Sequence, residues 1–128
     1  MKAITVKQPW AHLICAGIKD IENRTWKTSF RGRVLIHASA KNEKNFTFTQ
    51  EQSDALESIN ENQKFINSSI IGSVEIVDCI QDSKSIWSLE NHYHWVLANP
   101  ILFDNPIENV KGKLSFWEFD LEKHGKIL

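Results

Sequence analysis

Lys19, Glu22 and Arg24 lie between Trp10 and Trp26 in the stretch QPWAHLICAGIKDIENRTW, residues 8–26. Those residue types suit recognition of a flat, polar, anionic ligand. An arginine presents a planar fork that fits a phosphate or a base edge, and a lysine adds a mobile cation. A glutamate can pair with either cation or accept from an exocyclic amino group, as carboxylates do with cytosine N4. A tryptophan can stack a base, an interaction worth roughly 1–3 kcal/mol. The same residues have a structural reading. Glu22 would bridge Arg24 or Lys19 at the surface for under about 1 kcal/mol, and the tryptophans would belong to the core. Spacing alone leaves both open. Lys19 and Glu22 could also exchange protons with a substrate if burial lowered the lysine pKa.

Other chemistries find less support. The sequence has no glycine-rich phosphate loop, no nucleophile elbow and no clustered Cys/His signature, so no metal and no cofactor is expected. His92 and His94 share a strand face and read as the polar face of an edge strand. Cys15 and Cys79 read as buried free thiols, with Cys15 packed beside Ile14. His37, at the end of an apolar strand, reads as a core histidine with its hydrogen bonds met. Trp95 alternates with Leu97 and is expected inside, whereas Trp117 could line either core or cleft.

The elements that position these groups follow from periodicity. Ala3–Lys7 is a short β-branched strand. Pro9 suits the first turn of a helix, expected over Pro9–Ala16 with Trp10, Leu13 and Ile14 on one face and Gly17 closing it in the left-handed region. Asp20–Trp26 is expected to be extended, which puts Glu22, Arg24 and Trp26 on one face. Val34–Ala38 is a buried strand. Thr49 and Gln52 form a capping box for a peripheral helix over Gln50–Asn62. Ser69–Cys79 is a long strand with a bend at Gly72, and His92–Ala98 is another, which Pro100 ends or confines to an edge. Residues 101–103 resume pairing, Asn105-Pro106 turns, and Leu114–Asp120 is the last strand. The pattern gives an α+β domain, mostly β, with a small closed or nearly closed barrel as the natural way to remove sheet edges.

A chain of 128 residues without repeats or linkers fits one domain spanning 1–128. No apolar run is long enough to span a bilayer and no secretory signal is visible, so a cytoplasmic protein without membrane contact is expected. The net charge of −1 is unevenly placed. Residues 1–50 hold nine basic and three acidic residues, whereas the remainder hold six and thirteen. The positive half could attract a phosphate locally, or the halves could simply attract each other.

The pattern QPWAxLIxxGxKxIExRxW, with GRVLIHAS, IIGSVEIVDC, HWVLANP and VKGKLSFWEF in order behind it, resembles the ASCH domain, which has a PUA-like fold. The family hallmark GxKxxExR is matched by Gly17, Lys19, Glu22 and Arg24. The resemblance implies a small β-barrel with a short helix at a cleft, and binding of RNA or a nucleotide or nucleoside. The ligand-binding set it implies is Gln8, Trp10, Lys19, Glu22, Arg24 and Trp26, with His37 and Ser39 near the cleft floor. One branch of the family hydrolyses N4-acetylcytidine with a lysine, a threonine and a glutamate. Lys19 matches that lysine, but Glu22 stands at the threonine position, which weighs against a threonine nucleophile. If the chain were an enzyme, a small hydrolase acting on a modified nucleoside or on RNA, Lys19 and Glu22 would be its catalytic residues.

Overall fold

The computed structural model describes residues 1–59 and 63–125. Its elements are β1 (Lys2–Gln8), α1 (Trp10–Cys15), β2 (Ile21–Arg24), β3 (Gly32–Asn42), α2 (Gln50–Ala55), β4 (Ser69–Ile80), β5 (Tyr93–Ile107) and β6 (Trp117–Glu118). Short 3-10 turns follow at Leu56–Ser58 and Glu122–His124. The fold is α+β and mostly β, as the alternation in the sequence indicates. No helix among the described residues is long and apolar enough to cross a membrane.

The strands form one sheet in the order β2-β5-β4-β3-β1-β6. β1 runs parallel to β3, with Ile4 opposite Ile36, and the other pairings are antiparallel. The sheet does not close by its ladder, which corrects the expectation of a barrel. The edge strands are too short for it, four residues in β2 and two in β6. Side chains span the gap instead. Arg24, on edge strand β2, donates from Nη2 to the Thr5 carbonyl oxygen of β1 at 2.8 Å.

Several boundaries differ from the sequence reading. The last strand pairs only at Trp117–Glu118, because Ser115 takes a φ of +58° and breaks the extended run before it. β5 passes through Asn105-Pro106 without turning, and Ile107 pairs with Ile70. Pro100 also sits within β5, but beyond the stretch that pairs with β2, which ends at Val96. Its missing N–H therefore lies where no second ladder forms. β4 is irregular at Gly72, where the register slips against both neighbours. α2 is six residues and carries the anticipated Thr49/Gln52 capping box. The end of the expected helix, residues 60–62, lies outside the described residues.

Alternation distributes the core. Ile4, Val6, Val34, Ile36 and Ala38 point to one face and meet Ala11, Ile14 and Cys15 of α1 and Trp95 of β5. Ala3 and Leu35, one position out of phase, point to the other face and pack with Ile70, Ile107 and Trp117. Leu13 turns away from the main core toward Ile21 and Trp87, against which Trp10, Phe48 and Leu56 pack. Helix α1 is thus buried along Ala11–Cys15, and Gly17 ends it with a φ of +81°.

Candidate functional site

The turn after α1 and the start of β2 bring the three hallmark charges together. The chain leaves the helix at Gly17, and Lys19 then folds back, its backbone N–H bonded to the Leu13 carbonyl oxygen at 3.0 Å. Glu22 and Arg24 follow on one face of β2, fixed by antiparallel pairing with Trp95 and Tyr93. The Glu22 carboxylate accepts from Arg24 Nε at 2.8 Å through Oε2 and faces Lys19 Nζ at 3.7 Å through Oε1. Lys19 Nζ also donates to the Ile21 carbonyl oxygen. Lys19 is only 5% exposed, and the Arg24 side chain is 22% exposed. The group is therefore a buried charge network, unlike the surface pair that spacing alone allowed.

Burial lowers the Lys19 pKa from its ordinary value, opposed by the charge and hydrogen bond of Glu22. Burial pushes the Cys15 thiol well up, which keeps that side chain a packing group. Both cysteines are free, Cys15 buried and Cys79 partly exposed.

The two tryptophans flank the network on separate supports. The Trp10 ring lies 5.7 Å from Lys19 Nζ and packs against Phe46, Phe48 and Trp87. Trp26 packs edge-on against Trp95 with ring centroids 4.7 Å apart, and Arg24 sits 5.8 Å from that same Trp95 ring. Both Trp10 and Trp26 are half-buried. Trp95 is fully inside, as alternation predicts.

The remaining sequence-selected residues lie elsewhere. Gln8 is 1% exposed; its Oε1 accepts from the His12 backbone N–H at 2.9 Å and its Nε2 donates to the Ile66 carbonyl oxygen at 3.0 Å. It thereby does for α1 what Pro9 at the N-cap cannot, satisfying an otherwise unpaired amide. Gln8 also borders an apolar cavity of about 540 Å³ with Leu13, Phe46, Phe48 and Phe65. His37 and Ser39 border a different cavity, about 590 Å³, between β1, β3 and the 109–114 loop. His37 is 1% exposed, with Nε2 2.6 Å from the Val110 carbonyl oxygen and Nδ1 3.2 Å from Thr5 Oγ1. The carbonyl can only accept, so the proton sits on Nε2 and the Thr5 hydroxyl donates to Nδ1. Burial lowers the His37 pKa. His94 is also turned inward, its Nε2 2.6 Å from the Leu89 carbonyl oxygen.

Thr5 joins the two regions, since its carbonyl receives Arg24 and its hydroxyl faces His37. Motif reading did not single out Thr5, or Lys41, Lys111 and Lys113, which border the His37 cavity. The KGK segment, residues 111–113, carried a signal for the last two, namely two lysines flanking a glycine.

The profile of the ASCH domain matches residues 4–107. The chain belongs to the ASCH domain family. It is 27% identical to Activating signal cointegrator 1 of Homo sapiens and 26% identical to that of Mus musculus, each alignment covering 94% of the chain. The chain spans about a fifth of the length of these curated relatives, the alignments covering 22% of each.

Proposed function

We propose that this ASCH domain binds a nucleotide or a short segment of single-stranded RNA over its hallmark network. The observation that carries the reading is the placement of Arg24. It stands at the open seam between β2 and β1, held by Glu22 and the Thr5 carbonyl through Nε and Nη2. Nη1 makes no hydrogen bond among the described residues. A guanidinium fixed on one side and unspent on the other is organised in advance to meet a phosphate or a base edge. Trp26 and Trp10, half-buried on either side, supply ring surface for a base. In this reading Lys19 and Glu22 hold Arg24 in position, and ligand contact falls to Arg24 and the rings.

A tryptophan-fluorescence titration with nucleosides, nucleotides and short RNAs tests it, using Arg24→Lys and Trp26→Leu. Wild-type quenching that weakens at least tenfold in Arg24→Lys, in a variant whose circular dichroism is unchanged, is the expected result. Equal affinity in wild type and both variants overturns this placement of the ligand.

A hydrolytic reading draws on one observation, the burial that lowers the Lys19 pKa beside Glu22. It predicts product on chromatography of the same mixtures, lost in Lys19→Met. Binding without product leaves recognition as the function.

A further inference from the structure

We infer that the cavity above His37 is a phosphate-binding subsite, formed by Lys41 on one wall and by Lys111 and Lys113 on the other. The inference rests on the nucleic-acid reading above and names where the ligand's phosphates go. The cavity measures about 590 Å³, room for a phosphate group with its ester substituents. Besides the lysines, its polar side chains are the hydroxyls of Thr5, Ser39 and Ser68, the Asn109 amide and His37, and no carboxylate is among its lining residues. None of the three lysines makes an ion pair among the described residues, as is also true of Lys27, Lys44, Lys64 and Lys84; what sets the three apart is that they border one cavity. The Thr5 and His37 protons are already given to His37 Nδ1 and the Val110 carbonyl oxygen, which leaves the lysine ammoniums, the Ser39 and Ser68 hydroxyls and the Asn109 amide to donate to an anion across a carboxylate-free wall.

The lysines are mounted on a loop held at several points. The Val110 backbone N–H donates to the Ser68 carbonyl oxygen at 2.8 Å, and the Val110 carbonyl oxygen receives His37 at 2.6 Å. Asn109 and Ser115 take φ values of +57° and +58°, closing the loop at either end. Gly112 rests on the cavity floor. A Cβ there would fall 2.7 Å from both His37 Cε1 and Thr5 Oγ1, so the backbone presses down where only hydrogen fits. The neighbouring Lys111 and Lys113 are thereby set on the rim, and Lys113 Nζ lies 5.9 Å from the centroid of the Trp117 ring. Leu114, at the same rim, is 95% exposed and offers apolar surface to a ribose or base.

Thr5 gives the subsite its continuity with Arg24. One residue presents its carbonyl to the guanidinium and its hydroxyl to the cavity floor. A strand of RNA crossing β1 would pass from the guanidinium to the lysines. A nucleotide would use the cavity for its phosphate alone.

The test is fluorescence anisotropy of a labelled single-stranded RNA across a salt series. It compares wild type with a Lys41→Gln/Lys111→Gln/Lys113→Gln variant and a charge-matched Lys44→Gln/Lys84→Gln/Lys123→Gln control. All six lysines are exposed, and thermal melts verify that each variant folds. Each lost phosphate contact on a single strand removes roughly 0.7 from the slope of log affinity against log salt. The cavity variant should therefore lose about 2 from the slope, and the control should keep it. If wild type binds RNA and the two variants behave alike, the subsite is wrong and the nucleic-acid reading survives. Calorimetric titration with pyrophosphate and with uridine 5′-monophosphate separates a free phosphate ligand from a polynucleotide. Binding of these without RNA binding, lost only in the cavity variant, keeps the subsite and overturns RNA as its ligand. No binding of RNA, nucleotide or pyrophosphate by wild type overturns both.

Discussion

Glu22→Gln probes the buried network most directly. The substitution keeps the side-chain volume and one acceptor oxygen, and it removes the charge that faces Lys19 at 3.7 Å and Arg24 at 2.8 Å. Breaking a buried ion pair by removing one partner typically costs about 3–5 kcal/mol, because the remaining charge is left uncompensated. Two features place this case at the lower end. The Arg24 side chain keeps 22% of its exposure and some water, and the new amide oxygen can still accept from Nε. The expected loss is about 3 kcal/mol, a large share of the roughly 5–15 kcal/mol available to a domain. Urea unfolding followed by fluorescence should show the midpoint falling by on the order of 1–3 M, given slopes of about 1–3 kcal/mol per M. The Lys19→Met/Glu22→Gln double variant should regain part of the loss, because the unpaired ammonium is gone. A loss under about 1 kcal/mol is what a solvated surface pair would give. That value, or strict additivity in the double variant, would refute the claim that the network holds the seam between β2 and β1.

Three further outcomes follow from the same geometry. Burial lowers the Lys19 pKa below its ordinary 10.5, so between the lowered value and 10.5 the unfolded chain binds more protons and stability rises with pH. Wild type should therefore gain on Lys19→Met as pH is raised through that window, and chemical denaturation at a series of alkaline pH values measures the difference. His37 is shifted the same way by burial, below 6.5. Its contribution to stability is complete above 6.5 and is lost as pH falls through the lowered value, so wild type should lose more stability on acidification than His37→Gln. Gly112→Ala inserts a methyl 2.7 Å from His37 and Thr5. Overpacking of this kind costs about 1–3 kcal/mol, which a thermal melt reads, and the displaced loop should weaken phosphate or RNA binding by more than Lys113→Arg does.

Much of the fold was legible because its signals are local. The β-branched runs at Ile4–Val6 and Val34–Ile36, the Thr49/Gln52 box and the glycine after α1 each act within a few residues. What escaped was set by long-range contacts. The sequence LSFWEF alternates as a strand should, yet only Trp117 and Glu118 pair, because Ser115 turns the chain through a positive φ. Pairing through Asn105-Pro106 depends on β4 lying alongside to receive Ile107. Barrel closure was the general remedy for sheet edges, and the chain uses a different one. Two edge strands of four and two residues leave little ladder to protect, and Arg24 crosses the gap with a single side chain.

The hallmark residues were legible as a group and ambiguous in role, and the structure shows the physical reason. Alternation alone puts Glu22 and Arg24 on one face, but whether Lys19 reaches them depends on the chain folding back over Leu13 after the helix. Once it does, the structural reading no longer excludes the proposed functional one. A guanidinium whose Nε and Nη2 are spent on Glu22 and the Thr5 carbonyl is held on one side, and the proposed binding mode uses that fixed orientation to present its remaining nitrogen. Gln8 shows the opposite limit. Both ends of its amide are used inside the fold, so the motif position nearest to α1 serves the helix. Lys41, Lys111 and Lys113 were invisible as a set because more than sixty residues separate the first from the others in the chain. Only the parallel β1–β3 pair and the loop pressed down at Gly112 bring them around one cavity.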